Sequence, residues 1–222
     1  MHEFWGREKG GKNEKYWKNI VEYEKLNMER RINNMGLDMY LVREKYIGAS
    51  YEHNQVEGVI DIRVRGKKIP IDLKKINCIQ ESVGYWRKAN QIHKWFVDNV
   101  QDGNDDGKSY YVSTEDLEKL LNICKEVKEK AKLVDGKIKN GEILKDGKWT
   151  PNLINGKVIQ NAEEISKLLP TRDGFFFGST DYDEKYLKDI TDTIEMLTSI
   201  LKDEKNLNNQ GIYSDFEYSA SW

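Results

Sequence analysis

Leu37, Met39 and Leu41 alternate with Asp38 and Tyr40, the period-two pattern of a half-buried strand, and predict a first strand within Leu37–Tyr46. Two more alternating runs, Val59–Val64 and Ile69–Leu73, flank Arg65, Gly66, Lys67 and Lys68 and predict a β-hairpin with glycine in its turn. Pro70 cannot donate to a strand ladder, so the second arm is expected at an edge. The period then changes to three and four. Trp86, Ala89, His93, Phe96, Val97 and Val100 predict a helix over about Gly84–Asn99. Ser113 and Asp116 resemble a capping box before a helix that carries Leu117, Leu120, Leu121, Cys124 and Val127 on one face.

Further on, Val134–Lys157 scatters four glycines among lysines and asparagines, and predicts an irregular or hairpin-like polar insertion. A short helix over Ala162–Leu169 is stopped by Pro170. Phe175, Phe176 and Phe177 predict an aromatic strand, and Thr180 or Asp181 is expected to cap a helix over about Asp183–Asp203. Ile212, Ser214, Phe216 and Tyr218 alternate and predict a last strand. Strands and helices in no regular βαβ order predict an α+β fold: a mostly antiparallel sheet with about three main helices packed on it.

The first 34 residues are set apart. Lys15–Ile32 shows partial helical spacing, and a purine-rich codon reading of Glu29, Arg30 and Arg31 ahead of Met35 suggests that translation can begin at Met35. Residues 1–34 are therefore either an N-terminal helix or an extension upstream of the native start, with a single domain over 35–222.

Charge adds local detail to this outline. The 36 basic and 38 acidic residues give a net charge of −2, which argues against a general nucleic-acid-coating protein. Between Glu57 and Asn90 eight basic residues face four acidic ones, whereas between Thr180 and Lys205 eight acidic residues face four lysines. Such runs read either as two solvated faces or as a bipolar surface that steers a charged partner. No apolar run approaches the ~20 residues that cross a bilayer and the start is no secretory signal, so the expected location is the cytoplasm. Cys78 and Cys124 form no CxxC unit, which excludes a disulfide scaffold and a four-cysteine zinc site.

Candidate chemistry is sparse. Asp102–Gly107 begins like a calcium loop, but Ser113 stands where the closing glutamate belongs, so it reads as a polar turn. Pairing Cys78 and Cys124 with His53 and His93 as a zinc site has no support in spacing, and no cofactor is predicted. His93, near Arg87 and Asn90, reads as a structural hydrogen-bonder or as an anion or proton-transfer group. Asp181 and Asp183 read as helix caps or as a carboxylate pair beside Phe176 and Tyr182.

MGLDMYL (35–41), GYWRKANQIHKWFVDNV (84–100) and LLPTRDGFFFGSTDYD (168–183) resemble a family of small phage and prophage proteins that begin at the MGLDMYL segment. The resemblance covers roughly residues 35–222 and carries no assigned catalytic residue. It implies an accessory gene of a mobile element, acting by binding on a host protein or ribonucleoprotein effector. The leading expectation is an inhibitor of bacterial immunity, such as an anti-CRISPR protein. In it, Arg63, Arg65, Lys67 and Lys68 touch RNA and the acidic segment from Asp183 mimics nucleic-acid charge. The alternative is a small-molecule binder that sequesters a nucleotide signal through Arg87, His93 and Phe175–Phe177. A hydrolase or nuclease using His93, Asp181 and Asp183 ranks third.

Overall fold

The computed structural model describes residues 36–47, 61–145 and 147–222. The expectations for residues 1–34, Met35, His53 and the start of the first hairpin arm at Val59 lie outside them. β1 (Asp38–Tyr46), β4 (Cys78–Arg87), β8 (Ser214–Ser221) and β5 (Tyr110–Val112) form one antiparallel sheet in the order β4-β1-β8-β5. Four helices accompany it: α1 (Asn90–Asn99), α2 (Thr114–Lys130), α3 (Ala162–Leu168) and α4 (Glu184–Asn208). The fold is α+β. Two hairpins stand outside the main sheet, β2–β3 (Ile62–Val64 and Lys67–Ile69) and β6–β7 (Leu133–Lys145 and Lys148–Ile159).

The core follows from alternation on the strands and three-to-four spacing on the helices. Leu37, Met39 and Leu41 are wholly buried, as are Phe216 and Tyr218 on the neighbouring strand. Leu117, Leu120, Cys124 and Val127 of α2 join the same cluster as Tyr186, Ile190, Leu197 and Ile200 of α4. Gly84 lets α4 approach closely, since a Cβ there would come within 3.0 Å of both the Leu41 Cβ and the Met196 Sδ. Arg43 is buried beside Glu204, 3.9 Å away, and binds the partly exposed Glu81 at 2.7 Å, while Glu204 itself accepts from the Ser214 hydroxyl at 2.6 Å.

Several expectations hold in detail. Ser113 caps α2, its Oγ accepting from the Asp116 amide at 3.1 Å and donating to the Asp116 carboxylate at 2.7 Å. The first hairpin forms with Gly66 in its turn, but its second arm is Lys67–Ile69 and not Ile69–Leu73, because Arg65 and Gly66, both with positive φ, close a two-residue type I′ turn and Pro70 ends the strand. The polar insertion is a long regular hairpin, interrupted by a register shift between Lys139 and Glu142 where Gly141 has φ +77°.

Two further predictions need correction. The helix expected from Gly84 begins only at Asn90, because Gly84–Arg87 continue β4, with Trp86 opposite Met39, and Lys88 at φ +59° breaks the chain direction. Trp86 and Ala89 are buried from different elements, which imitates a helical period. The aromatic strand does not form either: Phe177 closes a turn onto the Gly174 carbonyl and Phe176 has φ +61°.

Candidate functional site

A cleft of roughly 600 Å³ opens where β4 passes into α1, beside the register shift of the β6–β7 hairpin and the first turns of α4. That volume is in the range of small-ligand sites. Arg87 and Lys88 reach it from the β4–α1 connection and Lys139 from the hairpin, while Asp183, Lys185 and Asp189 come from the start of α4. The Lys139 ammonium binds Asp181 at 3.1 Å, and the Lys185 ammonium donates to the Lys139 carbonyl at 3.0 Å, tying hairpin to helix. Arg87 lies 3.5 Å from Asp38.

Asp183, and not Thr180 or Asp181 as expected, is the N-cap of α4, because the helix starts only at Glu184: its Oδ1 accepts from the amides of Lys185 at 2.8 Å and Tyr186 at 3.1 Å. Only 2% of the residue is exposed, yet its Oδ2 has no hydrogen-bond partner among the described residues. A buried carboxylate oxygen without a donor is costly unless a water or ligand satisfies it. Two turns along, burial pushes the Asp189 carboxyl up to about 6, although Gln91 donates to it at 3.2 Å. The folded protein therefore holds a proton on Asp189 that the unfolded chain releases between about pH 4 and 6. Stability present below that range is lost as pH rises through it. Asp189→Asn is expected to stabilise the protein at pH 7 by about 2 kcal/mol and to flatten the fall between pH 4 and 6, as read by urea unfolding across pH. An unchanged pH profile would show that Asp189 titrates normally.

His93 stands elsewhere. It is fully buried, Nδ1 hydrogen-bonded to the Tyr218 hydroxyl at 2.8 Å and Nε2 to the Asp105 carboxylate at 3.1 Å, with Arg172 on the same carboxylate at 2.8 Å. Burial lowers its pKa against the opposing pull of Asp105. Phe177 and Trp222 pack around the ring at 5.4 and 5.6 Å. This is the structural hydrogen-bonder of the sequence reading, and the anion or proton-transfer role is corrected: no face of the imidazole reaches solvent.

The pocket expected from Arg87, His93 and Phe175–Phe177 does not form as such, because Phe177 is buried against His93 while Arg87 opens into the cleft. Phe175 and Phe176 are exposed and touch each other at 4.2 Å, outside the cleft lining. Tyr182 is structural, its hydroxyl accepting from the Thr171 amide at 3.1 Å and its ring lying 4.9 Å from Tyr186. Arg63, Arg65, Lys67 and Lys68 are all exposed on the separate β2–β3 hairpin. In the loop that opens like a calcium site, Asp105 faces His93 and Arg172, and Asp106 binds Lys108 at 2.7 Å. Cys124 lies in the core with its thiol pushed up to about 12 by burial, and Cys78 is on β4. Among the described residues, no group of three or more acids, histidines or cysteines is placed to hold a metal.

No family model, curated protein or solved structure matches the chain. What the site can do has to come from its own residues. Sequence reading singled out Arg87, Asp181 and Asp183 but in two separate candidate pockets, and missed Lys139, Lys185 and Asp189. The last of these is the one carboxyl among the described lining residues whose pKa burial clearly raises. The signal for it was weak, an acid one position before the apolar Ile190 on a helix full of acids.

Proposed function

We propose that this protein acts by binding and that its cleft takes a small phosphorylated molecule of nucleotide size. The observation that carries this reading is the pairing of lysine and arginine side chains with a buried, unpartnered Asp183 oxygen in one cleft. Arg87, Lys88 and Lys139 suit phosphate oxygens. The Asp183 and Asp189 carboxyls suit the amino or imino hydrogens of a base. Sequestration of a nucleotide signal fits the accessory role that the phage resemblance implies, in the cytoplasm of a bacterial host. A hydrolytic role has no support, because the histidine that would act as base is enclosed and Asp183 is held as a cap.

Calorimetric titration with inorganic phosphate, AMP, ADP and a cyclic dinucleotide tests the reading. At least one nucleotide is expected to bind at micromolar concentration, and Lys139→Glu to weaken it about tenfold or more, a loss of about 1.4 kcal/mol per decade. Absence of binding by all four at millimolar concentration, with the protein folded, would discard it.

A second reading draws on the β2–β3 hairpin, where every residue from Asp61 to Pro70 is exposed and four are basic. It supports contact with the RNA of a ribonucleoprotein effector, as an anti-CRISPR inhibitor would make. The mimicry version is less supported. Of the acidic segment, Asp183 caps α4, Asp181 and Asp192 pair with lysines, and Glu204 is buried with Arg43. For a membrane, no described helix is long and apolar enough to cross one.

A further inference from the structure

The main sheet has a second face, opposite the core. Alternation along β1 turns Asp38, Tyr40, Glu44 and Tyr46 to it, and the register sets Tyr85 of β4 directly beside Tyr40. On the other side β8 contributes Glu217 and Asp215, and β5 places Tyr111 opposite Glu217. The four tyrosines keep 39% (Tyr40), 48% (Tyr46), 48% (Tyr85) and 63% (Tyr111) of their surface in solvent. Tyr40 and Tyr85 form a tilted ring pair with centroids 5.5 Å apart. Single exposed apolar residues are ordinary, but four aromatic rings on three strands of one four-stranded sheet make a platform.

Exposed rings on an antiparallel sheet are one way to stack the bases of single-stranded RNA. The charge on this face opposes that use. Its strands contribute four carboxylates, Asp38, Glu44, Asp215 and Glu217, and among the described residues they place there the only cation is Arg87, which is paired with Asp38. Three of these carboxylates accept hydrogen bonds from neighbours: Tyr85 donates to Asp38, Gln80 to Glu44 at 2.9 Å, and Ser109 to Glu217 at 2.6 Å. Aromatic rings ringed by fixed anions attract guanidinium and ammonium groups, through cation–π contact with the ring faces and Coulomb attraction to the acids.

We propose that this face is a docking surface for an arginine- and lysine-rich segment of a partner protein. A second copy of the chain offers the basic β2–β3 hairpin as an occupant, but hairpin on sheet is a head-to-tail contact that propagates into open chains unless its geometry closes. A separate basic partner carries no such condition.

Fluorescence anisotropy of labelled nona-arginine with the full 222-residue chain tests the proposal. Saturable binding that weakens with added salt is expected. The double substitution Tyr40→Ser with Tyr85→Ser removes two rings and no charge, and is expected to weaken binding about tenfold with an unchanged melting temperature. Tyr111→Ser, on another strand, gives the same reading should the double variant fold poorly. Binding that neither substitution alters would reduce the face to non-specific charge attraction and overturn the proposal. So would tight binding of a ten-residue oligouridylate that the same substitutions abolish, which would make it an RNA platform. Self-association at low salt that Arg65→Glu abolishes would hand the face to a second copy.

Discussion

Tyr218→Ala is expected to destabilise the protein by about 3–5 kcal/mol, the range for deleting a large aromatic side chain from a packed core. Tyr218 is wholly buried in β8, stacked on Phe96 of α1 with ring centroids 3.9 Å apart and planes 9° from parallel. Its hydroxyl also meets the Nδ1 of His93. Alanine removes the ring that joins sheet to helix and leaves an enclosed imidazole nitrogen without its partner. Tyr218→Phe keeps the stack and removes only the hydroxyl, at an expected cost of about 1–2 kcal/mol. Guanidinium unfolding separates the two, with a lower midpoint and an unchanged slope for each. Equal losses for alanine and phenylalanine would mean that the hydrogen bond, and not the stack, carries the contact.

Asn90→Ala is expected to cost about 3 kcal/mol and to loosen one wall of the cleft. The side chain of this buried first residue of α1 donates to the Phe177 carbonyl at 3.2 Å and to the Ser179 carbonyl at 2.8 Å, and accepts from the Arg172 amide at 3.1 Å. Truncation strands three backbone groups, each of which costs roughly 1–3 kcal/mol where water cannot replace the lost partner. Because Ser179 lines the cleft, the variant is also expected to expose the amides of Gly178–Thr180 to faster hydrogen exchange. A destabilised protein with unchanged exchange at these amides would show that other contacts position the segment.

These two residues show where sequence reading succeeds and where it stops. Tyr218 was legible as part of an alternating strand, and so were β1, the capping box of α2 and the apolar stripe of α4, because each has a local period that tertiary contacts reinforce. Asn90 was read only as a neighbour of His93. Its role depends on a segment more than eighty residues away, and no local pattern reports such a contact. The boundary at Lys88 was hidden for a related reason, since Trp86 and Ala89 are both buried and sit three apart while belonging to different elements. The cleft was half legible. Arg87, Asp181 and Asp183 stood out by type and position, whereas Lys139 enters only because a thirteen-residue strand carries it across to α4.

The position of β8 has a consequence for how the chain is made. This strand follows every other described element, yet it lies inside the sheet, between β1 and β5, and among the described residues β5 pairs with no other strand. While the chain emerges from the ribosome, β1 and β4 can pair early, but one edge of β1 and the whole of β5 wait unpaired until β8 appears. The sheet therefore closes only after synthesis of the whole described fold, and during that interval its open edges need shielding from other nascent chains.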